Sequence, residues 1–461
     1  MKMEKENNDF TAEEKAIRKN NRKALLSVGL ALVITASFFL GFFVYGATEP
    51  ASGRKISEIV RIIDGASVYA DGKNADELAE LFRKIVLADD AYAKYYTAEE
   101  YRKMLAEDAG NYSGVGIAID ENGVIKYVYR NSPAHRGGIK AGDKLTEGIF
   151  VGEEEYKVFT DALNEYNADK EDKDKKIIQQ IYTEFFSGYN VGETVRFKVD
   201  RTGEEKEFSI VKEDYVVSYV EYADNEKSYY FSTEEDGFRG RESDENFIEG
   251  LSADTAYIKL YEFQGGAAAQ FAQALSFMQS RGKTKLILDL RDNGGGLITV
   301  LLDIVSYLIN DNGAAGLKVL GVKEKNNTTA FFTAENRFTT TLTDLSVIAN
   351  DGTASASECL IGALIAYGNA ERNGARFDSD RLILTRKHET RNIYCTFGKG
   401  IMQTTYGLRT GGALTLTTAY IYWPEPFKDV CIHDKGITTP VAENCVSDAL
   451  AIARADAVLH G

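Results

Sequence analysis

Between Leu345 and Tyr367 the sequence passes from strand to helix across one short turn, and that turn carries two serines and a glutamate. Leu345-Ser346-Val347-Ile348-Ala349-Asn350 is apolar and β-branched enough to be a buried strand. Cys359 to Tyr367 is an apolar run of helical length, with Gly368 as its stop. Asp351-Gly352-Thr353-Ala354-Ser355-Ala356-Ser357-Glu358 must turn the chain between them. Ser355 then sits where unpaired amides of a helix N-terminus can face an oxyanion, which points to acyl transfer. Ser355 to Glu358 also fits the Ser-x-x-Glu capping box, in which the serine merely satisfies helix amides.

Lys285-Leu286-Ile287-Leu288-Asp289-Leu290-Arg291-Asp292-Asn293-Gly294-Gly295-Gly296-Leu297 reads as a second buried strand, a glycine turn and a new helix through Leu308. Three glycines let backbone amides approach a substrate closely, as an oxyanion hole requires. A plain tight turn and a nucleotide loop are the alternatives. Neither this turn nor Gly398-Lys399-Gly400 completes the Gly-x-x-x-x-Gly-Lys-Ser/Thr pattern, which makes a phosphate cradle a poor reading.

Phe397-Gly398-Lys399-Gly400, with Gln403 beyond, supplies a lysine that becomes a base once neutral. That requires a closed, apolar site, which Phe397, Ile401 and Met402 are expected to provide. His135, His388, His433 and His460 have no triad context, although His433 is the best placed of them. Cys359, Cys395, Cys431 and Cys445 lack the spacing of a metal site, so none is expected.

Together these segments resemble the C-terminal processing (tail-specific) proteases, a family of serine–lysine peptidases with a PDZ domain. The resemblance is carried by Leu288 to Gly296, by Ala354 to Glu358, and by Thr396 to Gly400 with Gln403. It implies that Ser355 is the nucleophile, Lys399 the general base and Gln403 the residue orienting the lysine. It also implies that the amides of Gly295 and Ala356 are the oxyanion donors. Peptide-bond hydrolysis through an acyl-enzyme, with no cofactor, would follow. A catalytically inactive adaptor binding client tails is the alternative. Two departures stand out: Ala366 lies where the family usually has an acidic residue, and the charged stretch Asn369 to Asn392 helps separate Ser355 from Lys399 by 44 residues. A loop lengthened in this way costs only about 1 kcal/mol to close.

Residues Ala24 to Ala47 carry no charged side chain and are long enough to cross a bilayer as a helix. Lys15, Arg18, Lys19, Arg22 and Lys23 precede them, which places the N-terminus in the cytoplasm and the rest outside. An uncleaved anchor in the cell membrane is expected; a signal peptide is the other reading. The net charge of −16 argues against nucleic acid as a partner. In an exported chain Cys431 and Cys445 are candidates for pairing, but connectivity is open.

The expected organisation is an α/β (α+β) multidomain chain. It comprises a cytoplasmic tail (1–23), an anchor (24–47), a helical region (48–105), a PDZ domain with an insertion (106–215), a linker (216–254) and a mixed α/β serine protease domain (255–461). The helical region has apolar residues three and four apart, Ile56-Ile59-Val60-Ile63 and Leu78-Leu81-Phe82-Ile85-Val86, which suit a core or an oligomer interface. By resemblance it mediates a homodimer. Tyr112 to Ile119, Val124 to Tyr129 and Ser132 to Asp143 look like a PDZ domain. Gly114, Val115, Gly116 and Ile117 match the loop whose amides accept a peptide's terminal carboxylate. Asn164 to Lys176 reads as a solvated insertion, and Glu221 to Glu249 as an acidic link to the protease domain.

Overall fold

The computed structural model describes residues 75–461, apart from 171–174, 235–236, 244–247, 311–316, 326–328, 336–340, 369–374 and 425–429. The apolar run Ala24 to Ala47 and the pattern from Ile56 to Ile63 lie outside the described residues. Among the described residues, no helix is long and apolar enough to cross a membrane. The chain divides into two compact units, residues 1–82 and 83–461. Of the first, only the start of helix Ala75–Val86 is described, and Leu81, Phe82 and Ile85 of that helix are exposed.

The second unit is a mixed α/β structure built around a seven-stranded sheet. Its strands run in the order Gly237–Glu242, Ser228–Glu234, Val220–Ala223, Thr255–Leu260, Lys285–Asp289, Asp344–Ala349 and Leu382–Leu384. The last four are parallel and the first three antiparallel. Parallel strands need crossover connections and are covered on both faces, so they read as continuous apolar runs. Alternate side chains accordingly enter different cores. Leu286, Leu288, Leu345 and Val347 face the helices Ala267–Ser280, Ile298–Leu308 and Ala356–Tyr367. Ile287, Ile348 and Ile383 meet Ala451, Ala455 and Leu459 of the C-terminal helix Ala451–His460.

One expectation is corrected here. Much of the stretch from Glu221 to Glu249 is not a linker but three strands of this sheet. Val220, Glu221, Tyr222 and Ala223 are all buried. The charge at Glu221 is tolerated because Arg130 forms an ion pair with it and Tyr261 donates to its Oε2 (2.8 Å).

A second sheet joins Lys94–Tyr96, Ala413–Tyr422, Leu317–Glu324 and Thr329–Ala334, with Ile401–Gly407 also paired to Ala413–Tyr422. Residues 111–216 form a smaller part with its own core of Val115, Ile125, Phe159, Ile181, Tyr182, Phe185, Val195, Phe197, Val199 and Ile210. A four-stranded sheet and the helices Phe159–Asn167 and Ile178–Gly188 surround it. The charged segment expected from Asn164 thus begins as the last turn of a helix whose Phe159 is anchored in this core.

Candidate active site

Strands Lys285–Asp289 and Asp344–Ala349 lie side by side with Asp289 opposite Ile348, so the turns that follow them meet. In open α/β sheets this carboxyl end of the strands is where ligands bind. The hydrogen bonds between the turns are specific. Leu290 N donates to Ile348 O (2.8 Å), and Thr353 Oγ1 donates to Leu290 O (2.8 Å). Asn293 is fully buried, and its carbonyl accepts from Ala354 N (3.0 Å) and Ser357 Oγ (3.0 Å). Its side chain donates to Leu260 O (2.8 Å) and accepts from Gly295 N (2.9 Å). One asparagine thereby fixes the glycine turn against the serine turn.

Ser355 occupies φ 55°, ψ −115°, a backbone conformation that costs about 1–3 kcal/mol for a residue with a Cβ. Its surroundings enforce it. Gly295 has φ 104°, and a Cβ there would lie 2.8 Å from both Ser355 Cβ and Ala356 N. Such a strained strand-to-helix turn presents a hydroxyl at the helix entrance. Only the carboxylate half of the expected capping box is used. Ser355 N donates to Glu358 Oε2 (2.9 Å), whereas the Ser355 side chain makes no cap hydrogen bond. The Ser355 hydroxyl is thus unspent, while that of the buried Ser357 is spent on Asn293.

Glu358 is a carboxylate with no exposed surface, and its donors come from its own helix entrance and from one distant segment. Besides Ser355 N, its oxygens accept from Thr396 Oγ1, Gly398 N (2.8 Å) and Lys399 N (2.9 Å). Burial pushes its carboxyl above the usual range, against the effect of these donors. Sequence reasoning placed Glu358 in a motif but missed this junction, because its partners lie about forty residues away. Arg391, from the charged stretch after the serine helix, steadies the same loop by donating to Thr396 O (2.9 Å) and Phe397 O (2.7 Å). Arg386 bridges Asp292 and Asp351 beneath the two turns.

Lys399 is half-buried, and burial lowers its amine below the ordinary lysine range while the Glu358 charge opposes that shift. The apolar surroundings differ from expectation. Phe397 is 43% exposed and does not line the site, whereas Ile401 and Met402 do. Gln403 follows a register irregularity in its strand, a feature that re-aims side chains, and its Nε2 donates to Thr417 Oγ1 (3.3 Å).

Ser355, Ala356, Lys399 and Gln403 line one cleft of about 1360 Å³. Gly114, Val115, Gly116 and Ile117 line it too. The carbonyls of Val115 and Gly116 accept from Ala134 N (2.8 Å) and Tyr129 N (3.0 Å), while their amides donate to no described residue. Gly295 departs from its expected role. Its amide is committed to Asn293, and Gly294 and Gly296 reach the cleft wall instead. None of the four histidines lines the cleft, and all four cysteines are free thiols. Among the described residues no cluster of side chains fits a metal ion.

Residues 254–383 match the model of peptidase family S41. A probable CtpA-like serine protease of Staphylococcus aureus (strain MRSA252) is 25% identical over 418 residues, covering 89% of this chain and 69% of that relative. A protein of the same description from Staphylococcus saprophyticus is 24% identical over 392 residues, covering 84% of this chain and 64% of the relative. Among solved structures, the photosystem II D1 C-terminal processing protease is similar at 20% identity and TM-score 0.47, over 84% of this chain and 87% of that one. The matched family and the relatives define a serine peptidase, which acts on protein substrates. These matches support the C-terminal processing protease family for this chain, with peptidase family S41 matched over residues 254–383.

Proposed function

We propose that this chain is a membrane-anchored, extracytoplasmic serine endopeptidase that captures protein substrates by their C-terminal tails and cleaves them with a Ser355–Lys399 dyad. The observation that carries this reading is the shared cleft, which holds the unspent Ser355 hydroxyl, the Lys399 amine and the Gly114 to Ile117 loop. Neutral Lys399 takes the Ser355 proton as Oγ attacks the scissile carbonyl, and Gln403 orients the amine. The first amides of a helix have no intrahelical partner, so Ala356 N–H is available to the oxyanion. Lys399 then passes its proton to the leaving amine. Water, activated by the same lysine, releases the acyl group from Ser355. Residues 106–215 act as the PDZ domain and 255–461 with the preceding strands as the protease domain. The helical region 48–105, with the exposed apolar face of Ala75–Val86, is a candidate homodimer contact.

Tail capture has a direct test. The unpartnered amides of Val115 and Gly116 suit a terminal carboxylate, whose charge-assisted hydrogen bonds contribute about 1.5–3 kcal/mol or more. C-terminal amidation of a protein substrate is therefore expected to reduce kcat/KM by roughly tenfold or more. A short peptide that reaches Ser355 directly should be nearly indifferent. Equal cleavage of free-acid and amidated protein substrates by the full chain would remove tail capture and leave the dyad standing.

Topology is tested separately. The basic residues before Ala24 and the uncharged run Ala24 to Ala47 support an N-terminus inside the cell. A protease added to intact cells is expected to degrade the chain beyond about residue 48 and spare a tag on residues 1–23. Full protection of the chain, with recovery in the cytosolic fraction, would contradict the anchor.

A further inference from the structure

The short strand Lys94–Tyr96 pairs with Ala413–Tyr422, Lys94 opposite Thr415, and so brings the preceding turn onto the second sheet. There the Asp90 carboxylate meets Thr417. Thr417 N donates to Asp90 Oδ2 (2.8 Å) and Thr417 Oγ1 to Asp90 Oδ1 (2.9 Å). Tyr92 N also donates to Asp90 Oδ1 (3.1 Å), and the Tyr92 ring lies 4.8 Å from Lys399 Nζ. Burial opposes ionisation of Asp90, but the hydrogen bonds from Thr417, Tyr92 and Ala93 outweigh it and hold the carboxyl below its usual range.

These contacts impose a direction on the next hydrogen bond. An ionised carboxylate only accepts, so Thr417 must spend its single hydroxyl proton on Asp90. Its lone pairs are then left for Gln403, which must present its NH₂ group, as the bond from Gln403 Nε2 to Thr417 Oγ1 records. The amide oxygen of Gln403 is thereby the end left free of Thr417, and Gln403 and Lys399 line the same cleft. A neutral amine has one lone pair, and that pair must receive the Ser355 proton. An amide oxygen beside it takes an N–H and leaves the lone pair free, whereas an amide NH₂ would compete for it.

We propose that Asp90 is a positioning residue for the Lys399 base, fixing through Thr417 which end of the Gln403 amide faces the lysine. The inference rests on the Ser355–Lys399 reading given above. It ties the helical region before the PDZ domain to proton transfer rather than to packing alone.

Asp90→Ala frees the Thr417 proton to turn toward Gln403 and lets the amide reverse. On a short fluorogenic peptide, the full chain carrying Asp90→Ala is expected to lose roughly tenfold or more in kcat with KM nearly unchanged. The acid limb of its pH profile should move to lower pH, because the ammonium has lost an acceptor. Among the described residues, the Glu358 charge and the Tyr92 ring also act on Lys399, and both are retained. Thr417→Val should reproduce both effects, Thr417→Ser should restore them, and Asp90→Ala with Thr417→Val should be no worse than either alone. Wild-type kcat with an unmoved acid limb would overturn the proposal, as would an equal loss of kcat without the pH shift. Lys399→Arg in the same assay separates the two readings. If that variant turns over normally, the dyad itself fails; if it is inactive while Asp90→Ala behaves as wild type, only the positioning role falls. Should Asp90→Ala not fold, the contrast between Thr417→Val and Thr417→Ser decides the matter.

Discussion

Replacing Ser355 by alanine is expected to lower peptide hydrolysis by about 10⁴-fold or more, with the folded state retained. Alanine removes Oγ and leaves every backbone contact of the turn in place, including Ser355 N to Glu358 Oε2. The strained backbone is no worse for alanine, since both residues carry a Cβ. Ser357 provides the internal comparison. Its hydroxyl donates to Asn293 O, a carbonyl that keeps a second donor in Ala354 N, so Ser357→Ala should cost only about 1 kcal/mol of stability and retain measurable turnover. Paired assays with thermal melts would show both. Wild-type activity in Ser355→Ala would end the nucleophile assignment, and loss confined to Ser357→Ala would transfer it.

The second large effect is at Lys399. Arginine keeps the positive charge and much of the bulk but does not deprotonate in the accessible range, so Lys399→Arg should lose about 10³-fold or more of wild-type activity. The pH dependence carries the same sign argument. Burial lowers the Lys399 amine below its ordinary value, with Glu358 in opposition, and in the proposed dyad the neutral amine is the active form. In the wild type kcat/KM should therefore be small at acidic pH and rise with pH through the lowered pKa toward a plateau. A profile that falls with increasing pH across this range, or normal turnover by Lys399→Arg, would exclude lysine as the base.

The sequence made the two strand-turn-helix passages legible because parallel strands covered on both faces are apolar throughout, and glycine marks their turns. Leu345-Ser346-Val347-Ile348-Ala349 and Lys285-Leu286-Ile287-Leu288-Asp289 are indeed adjacent strands. Residues 221–242 were illegible for the opposite reason. Their acidic side chains resemble a solvated connector, and only Arg130 and Tyr261, distant in sequence, show how Glu221 is accommodated in a sheet. Within the site, a glycine-rich turn announces that backbone comes close to something but not which amide is free. Gly295 is required for its close approach to Ser355, yet its N–H is committed to Asn293. Phe397 beside a lysine looked like apolar shielding, but the backbone turns it outward. The bonds from Glu358 to the lysine loop and from Asp90 to Thr417 leave no periodic or local trace at all.

The Glu358 junction also sets an order of events. Synthesis runs from the N-terminus, so the serine helix is made before the loop whose Thr396, Gly398 and Lys399 complete the carboxylate's shell. Until that loop docks, Glu358 lacks three of the four donors described above. Under the proposed dyad, a nascent or truncated chain ending short of Lys399 would carry its serine without its base.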